Sequence, residues 1–269
     1  MTPRQLLAVV LAALLASGCG GDRRLCEALG FCDPAAPPAI TFDIVLDGSE
    51  GSTATVDAVR STSDSVLPLA SHRPGSVIRL WWLGATVDET ELLTTLTVEQ
   101  PRSRARKWQA TAQRDFVERN VPLLVTAADG HLSRPRPKRS PLAEGLTRVA
   151  WSTAPTARRV VILVSDGREV SSISDFECRP LPSEELWLQR LHDASLLPDK
   201  SLDGVVVHVA FASVPPIADR RCTPSIERET QIRALWVVAL TRAGAATVTF
   251  HTGAPILTDE LLDENGGAS

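Results

Sequence analysis

Residues 159–165, RVVILVS, form a run that is continuously apolar between its two polar ends. A strand buried on both faces of a parallel sheet has this pattern, whereas a half-exposed strand alternates apolar and polar residues. Four other short apolar runs predict strands at 40–46, 77–83, 204–212 and 246–251. Helical patterns separate these runs. Strands alternating with helices predict an α/β fold: a doubly wound, mainly parallel sheet flanked by helices.

The helical segments are predicted from their apolar spacing and their end signals. Three lie at 54–72, 182–196 and 226–243, the last ended by Gly244 in the C-cap role. Residues 88–96, DETELLTTL, and the arginine-rich residues 102–128 also predict helices. A further helix starts near Pro141, with Ser140 as the expected N-cap. For the helix at 182–196, the candidate core side chains are Leu186, Leu188, Leu191 and Leu196.

The first residues have the order of an export signal. MTPR precedes an apolar stretch of 11 residues, LLAVVLAALLA, and small residues follow up to Cys19. That stretch is shorter than the ~20 residues a membrane-spanning helix needs. The ending ASGC resembles the lipobox of bacterial lipoproteins, which implies a signal peptide at 1–18 and lipidation of Cys19. The resemblance favours the outer over the inner membrane, since Gly20 replaces the retention aspartate. An ordinary signal cleaved nearby is the alternative.

Proline placement divides the remaining chain. DPAAPPA lies in residues 19–39, which we interpret as a tether that holds a domain off the membrane. The predicted domain spans 40–257, and 258–269 form a C-terminal tail. The net charge of −4 gives no basic excess for binding nucleic acid, so the lipid at the N-terminus is the expected membrane contact.

Four cysteines remain besides Cys19, an even number that suggests two disulfides in an exported chain. Cys26 and Cys32 share the short segment CEALGFC, so their pairing is natural. Cys178 would then pair with Cys222, although the count alone leaves three connectivities open. A four-cysteine zinc site is the alternative, but the spacing does not suit one.

Polar residues follow the predicted strands where ligands bind in doubly wound sheets. Asp47 and Ser49 follow the first strand within TFDIVLDGSEGS, Ser140 opens a helix, and Asp166 follows the strand at 159–165. Because these groups come from three separate loops that converge on one edge of the sheet, they are candidates for a common binding site.

With these motifs the chain resembles a von Willebrand factor type A domain. In that family one strand ends in D-x-S-x-S, a later loop supplies a threonine, and an aspartate ends a strand reading roughly VVLLTDG. Residues 160–167, VVILVSDG, are similar to that strand, and 140–146, SPLAEGL, to a TPLAEAL-like helix start. The resemblance covers roughly residues 40–255. It implies a sheet in which the strands before Asp166 and Cys222 are neighbours, which favours a Cys178–Cys222 disulfide.

The resemblance also implies a metal ion-dependent adhesion site. Asp47, Ser49, Ser140 and Asp166 would hold Mg²⁺ or Mn²⁺, with one position open for a partner's acidic group. The third motif position falls on Gly51, and residues 84–130 look helical where the family has an edge-strand hairpin. Loss of one serine ligand weakens the expected affinity without abolishing the geometry. Alternatively, both aspartates cap following helices, each contributing ~0.3–1 kcal/mol.

These observations predict a lipid-anchored, non-enzymatic binding module that contacts another protein of the bacterial envelope. Two alternatives remain. One is a scaffold of the same fold that binds no metal. The other is a serine hydrolase with Ser49 or Ser165 as nucleophile, which would need a base within hydrogen-bond reach. The chain has no G-x-S-x-G motif, and GSEGS lacks the lysine of a nucleotide-binding P-loop.

Overall fold

The structure is a computed structural model that describes residues 37–50, 52–100, 106–154, 156–177, 179–211 and 225–258. All five cysteines lie outside these residues, as do the signal peptide and most of the proposed tether and tail. The lipidation site and both disulfides therefore stay predictions.

Six strands form one sheet in the order β3-β2-β1-β4-β5-β6. All neighbouring pairs are parallel except β2 with β3. This is the doubly wound order, with its switch point beside β1, so the predicted fold class is confirmed. The bounds are β1 Ile40–Asp47, β2 Val77–Leu83, β3 Glu91–Thr97, β4 Arg158–Val164, β5 Val206–Ala210 and β6 Thr247–Phe250.

In the described residues, five helices cover the two faces of the sheet. Their bounds are α1 Val56–Ser71, α2 Arg106–Leu132, α3 Leu142–Trp151, α4 Glu184–Asp193 and α5 Ile226–Arg242. The first two pack on one face and the other three on the opposite face, with a separate apolar core on each side. Trp81 and Trp82 lie in different cores, as adjacent strand residues must. None of the helices in the described part of the chain is long and apolar enough to cross a membrane.

The helix predicted at 88–96 is wrong. Val87–Glu89 form one short 3-10 turn, and the rest of the segment forms β3, which pairs antiparallel with β2. An edge-strand hairpin is therefore present where the helical spacing predicted none. Three threonines in ELLTTLT favour a strand. Leu93 and Leu96 also pack against the core beneath α2, and this burial outweighs the helical spacing of the leucines.

Two further expectations need correction. Ser140 does not cap α3, because Pro141 is the N-cap residue and Ser140 lies in an isolated bridge with Val170. On α4, Leu186 is 41% exposed, while Trp187 is fully buried and stacks edge-on against Trp236. The tryptophan buries more apolar area than the leucine would, so it takes the inward position.

Charged residues lie inside the sheet near the middle of β1. Asp43 is fully buried and accepts hydrogen bonds from Arg79, Trp81 and Arg159. The arginines come from β2 and β4, the two neighbours of β1. This cluster ties three strands together and helps to hold β1 in the register that brings its last residue, Asp47, to the carboxyl edge.

Candidate functional site at the carboxyl edge of the sheet

Asp47 is the centre of a hydrogen-bonded group at the end of β1. Its side chain is almost completely buried, at 1% exposure. Oδ1 accepts a bond from the backbone N–H of Ser49 at 3.0 Å. Oδ2 accepts bonds from the hydroxyls of Ser140, at 3.0 Å, and Ser165, at 2.8 Å. The structure thus brings three of the four predicted site residues into direct contact and adds Ser165.

A glycine allows this turn to lie close against β2. Gly48 donates its N–H to the carbonyl of Leu83 at 3.0 Å. A Cβ at Gly48 would lie 2.4 Å from that carbonyl oxygen and 2.5 Å from the Trp82 ring, closer than atoms can approach. Only glycine fits, and the close approach places Ser49 in a buried position beside Asp47.

Asp166 lies beside this group without a direct hydrogen bond to Asp47 among the described contacts. Its Oδ1 accepts the N–H of Arg168 at 3.0 Å, and the Arg168 Nε lies 3.5 Å from Oδ2. Burial, followed by the negative charge of Asp47, raises the pKa of Asp166 to about 7. Arg168 opposes this rise without cancelling it. The edge therefore carries negative charge that its own cation does not fully balance.

The helix-capping alternative is wrong for both aspartates. Thr55 caps α1 by accepting the N–H of Ala58. Among the described contacts, Asp166 bonds within its own turn, and the next helix along the described chain is α4, which Ser183 caps. Both aspartates are thus free of the structural role that would have explained them.

Glu169 lies deeper in the site, and its side chain caps the N-terminus of α3. Its Oε2 accepts the N–H of Ala143 at 2.9 Å, so it satisfies the first turn of the helix that Ser140 was expected to cap. The side chain is completely buried, and burial raises its pKa to about 8. For its other oxygen, Oε1, the described residues offer no hydrogen bond of ordinary geometry, although the nearby Ser171 hydroxyl partly opposes the rise in pKa. With this pKa the carboxyl is mostly protonated near pH 7, and a bound cation nearby would favour its ionised form.

Three residues of the site were not predicted as parts of it. The sequence suggested Ser165 only as a hydrolase nucleophile, although it directly follows β4, where Leu46 pairs with Val164. That register alone would have placed it next to Asp47. Arg168 and Glu169 follow the matched motif, and no spacing rule indicates that they turn inward.

The oxygen atoms of this site are of the kind that binds a hard divalent cation. Carboxylate and hydroxyl oxygens are the ligands that Mg²⁺ prefers, and buried carboxylates with raised pKa values gain from a cation. Two features oppose tight binding. Arg168 already supplies one positive charge, and both Ser140 and Ser165 donate their hydroxyl protons to Asp47. In the described residues, no cluster of three or more His, Cys, Asp or Glu side chains could hold a metal. The residues therefore fit a weak site that depends on serine oxygens.

Comparisons with known proteins add little to this geometry. No protein-family model matches the chain, and no curated protein matches it either. Among solved structures, an aerotolerance-related membrane protein from Bacteroides fragilis is 11% identical, with a TM-score of 0.37, and the alignment covers 84% of this chain and 98% of that protein.

Two other solved structures are similar at the same distant level. BatB from Bacteroides thetaiotaomicron, a conserved hypothetical protein, is 13% identical with a TM-score of 0.40, over 84% of this chain and 97% of BatB. The pilus adhesin SpaC from Lactobacillus rhamnosus GG is 12% identical with a TM-score of 0.47, over 86% of this chain and 30% of SpaC. At these scores, the fold assignment rests on the chain's own strand order.

Proposed function

We propose that this chain is a lipid-anchored binding module of the bacterial cell envelope, which presents the carboxyl edge of its sheet to another envelope protein. The observation that carries the proposal is the convergence of Ser140 and Ser165 on Oδ2 of Asp47, beside a second buried aspartate. Burial of two neighbouring carboxyl groups lowers the stability of the fold, and a role in binding would explain why the protein has them there.

A divalent cation is part of the proposal. Asp47, Ser49, Ser140 and Asp166 would hold Mg²⁺ or Mn²⁺, and the cation would supply a coordination position open to an acidic group of the partner. The surplus of buried carboxylates supports this assignment. The arginine beside Asp166 indicates that the affinity is low.

Anchoring through Cys19 follows from the lipobox-like ASGC segment, with the outer membrane favoured. A Cys19→Ala variant should lose membrane association while the domain still folds. Recovery of the variant in the membrane fraction after a high-salt wash would contradict this part of the proposal.

A hydrolase is less well supported, because neither candidate serine has a histidine base. Ser165 donates to Asp47 and accepts from the N–H of Gly167. Within the described residues, no histidine ring bonds to Ser49 or Ser165. His208, for example, lies in β5 and contacts His251 at 3.0 Å. Hydrolysis of generic esters that is lost in Ser165→Ala would favour the enzyme instead.

Retention of an envelope partner on the immobilised full chain tests the proposal. We expect a partner to be retained in millimolar Mg²⁺ or Mn²⁺ and released by chelator, and Asp166→Asn to lose it. The matched control is Asp64→Asn, which changes an exposed aspartate of α1. Circular dichroism establishes that each variant folds. If the partner stays bound when chelator is added, the result would support a metal-free scaffold. If no partner is specifically retained, the binding module is refuted.

A further inference from the structure

Strand β3 forms one edge of the sheet, and its outer side has no partner among the described strands. An edge strand presents backbone N–H and C=O groups that another strand can bind. β3 has seven residues, and Thr95 and Thr97 are exposed. This regular spacing of donors and acceptors matches the backbone of an extended polypeptide, which is therefore the kind of partner that the edge suits.

The outward-facing groups can be identified from the hydrogen bonds at the end of β3. Val98 donates its N–H to the Ser76 carbonyl and accepts the N–H of Gly75, both at 2.8 Å, so its backbone faces β2. Backbone direction alternates along an antiparallel strand. Leu96 therefore also faces β2, while Thr95 and Thr97 direct two N–H and two C=O groups outward.

Devices that usually protect edge strands are sparse here. β3 contains no lysine, arginine or proline, and its acidic residue, Glu91, lies at its far end, paired with His131. A register shift between Leu80 and Trp81 of β2 marks a bulge in the pairing, which protects that far end. The half from Thr94 to Thr97 pairs regularly with β2, and no described strand covers its outer side.

We propose that β3 pairs antiparallel with β3 of a second copy of this chain, about a twofold axis at Leu96. In this register, Thr95 lies opposite Thr97 of the second copy, and Thr97 lies opposite its Thr95. The two pairs use the two outward N–H and two outward C=O groups that Thr95 and Thr97 provide in each copy. Leu96 of one copy faces Leu96 of the other on the axis. Glu99 lies opposite Leu93, so the register opposes no carboxylates. The register is self-complementary, so two identical copies can form it about one twofold axis.

The contact is small, so the dimer should be weak and form at high local concentration. Sedimentation velocity of the full chain should show concentration-dependent dimerisation below about 1 mM. Thr95→Pro removes one outward N–H at an edge position where proline is tolerated, and it should weaken the dimer at least about tenfold. Thr95→Val keeps the N–H and should dimerise like the wild type.

Amide exchange of the wild-type chain tests the register without a variant. Exchange of the Thr95 and Thr97 amides should slow as the protein concentration rises, while the Leu96 amide, which faces β2, should not respond. Dimerisation with unchanged exchange at Thr95 and Thr97 would overturn the proposal. So would a strictly monomeric wild type across the whole range, or a folded Thr95→Pro variant that dimerises normally.

Discussion

The buried cluster around Asp43 predicts a large effect of one small substitution. Asp43→Asn keeps the shape of the side chain but removes its charge. Asp43 accepts four bonds of 2.6–2.8 Å, two from Arg79, one from Arg159 and one from Trp81. An asparagine offers one acceptor oxygen and turns an NH₂ group toward the donors that faced the other oxygen. The arginines then keep their charges without a carboxylate.

The magnitude follows from the bonds that are lost. Two hydrogen bonds to a charged group are each worth about 1.5–3 kcal/mol. Removal of one partner of a buried ion pair costs about 3–5 kcal/mol. The remaining arginine nitrogens are held by carbonyls of residues 149–153 near the end of α3, so the guanidinium groups cannot simply turn to water. We therefore expect a loss of about 4 kcal/mol, which lowers Tm by about 8–16 °C in a domain of this size.

Urea unfolding followed by circular dichroism measures the free energy, and differential scanning calorimetry measures Tm. Asp64→Asn is the control, since the exposed aspartate on α1 should contribute less than about 0.5 kcal/mol. If Asp43→Asn lowers Tm by no more than the control does, the cluster does not stabilise the sheet, and its role in holding the register of β1 is refuted.

Three further predictions concern the carboxyl edge. Millimolar Mg²⁺ or Mn²⁺ should stabilise the domain by about 1.4 kcal/mol at ten times the Kd, and Asp47→Ala should abolish the rise in Tm; an unchanged wild-type Tm would exclude the metal site. Without metal, Asp166 and Glu169 have folded pKa values of about 7 and about 8, above their unfolded values, so the stability present below pH ~4 should fall as pH rises toward 8. Urea titrations at several pH values test this slope, which Asp166→Asn should reduce. Gly48→Ala should lose about 1–3 kcal/mol through overpacking, whereas Gly130→Ala, inside α2 with open space around it, should gain about 0.5–1 kcal/mol; equal effects would contradict the packing argument.

The sheet could be predicted from sequence because its central strands are buried on both faces. A run such as 160–164 has no polar residue that would suit an exposed face, so its environment is evident from composition alone. β3 could not be predicted in this way. It is half exposed at the edge, and its leucines at 92, 93 and 96 fit helical spacing as well as a strand. The hydrogen-bonded pairing of β3 with β2 determines that this segment forms a strand and not a helix.

Those residues of the candidate site that directly follow a strand could be predicted from the sequence. Asp47 and Asp166 follow apolar runs, and the parallel sheet brings their loops to the same edge. The supporting contacts depend on the tertiary structure instead. Glu169 replaces Ser140 at the first turn of α3, and this exchange frees the Ser140 hydroxyl to bond Asp47. A local capping rule cannot anticipate a cap supplied from 26 residues further along the chain.

The described residues next to Cys178 and Cys222 support the proposed disulfide between these two cysteines. β4 and β5, the strands that precede the two cysteines, pair in parallel, as the resemblance implied. Arg228, in the first turn of α5, donates hydrogen bonds to the carbonyls of Phe176, at 2.7 Å, and Arg179, at 2.6 Å. The residues on both sides of Cys178 are thus attached to a helix that begins four residues after Cys222. This contact favours their pairing over a bond to the N-terminal cysteines.

Such a bond would close a loop of about 45 residues, for which the chain-entropy model gives a stabilisation of about 4 kcal/mol. Loss of this bond should therefore lower Tm by about 8–16 °C, so Cys178→Ser should show a shift of this size and respond less to reductant than the wild type does. Cys26→Ser is the matched control, since the predicted Cys26–Cys32 bond closes a loop of only seven residues and should contribute less. Peptide mapping without reductant identifies the pairs directly. A free Cys178, or one joined to Cys26 or Cys32, would show that the neighbouring strands do not determine the pairing.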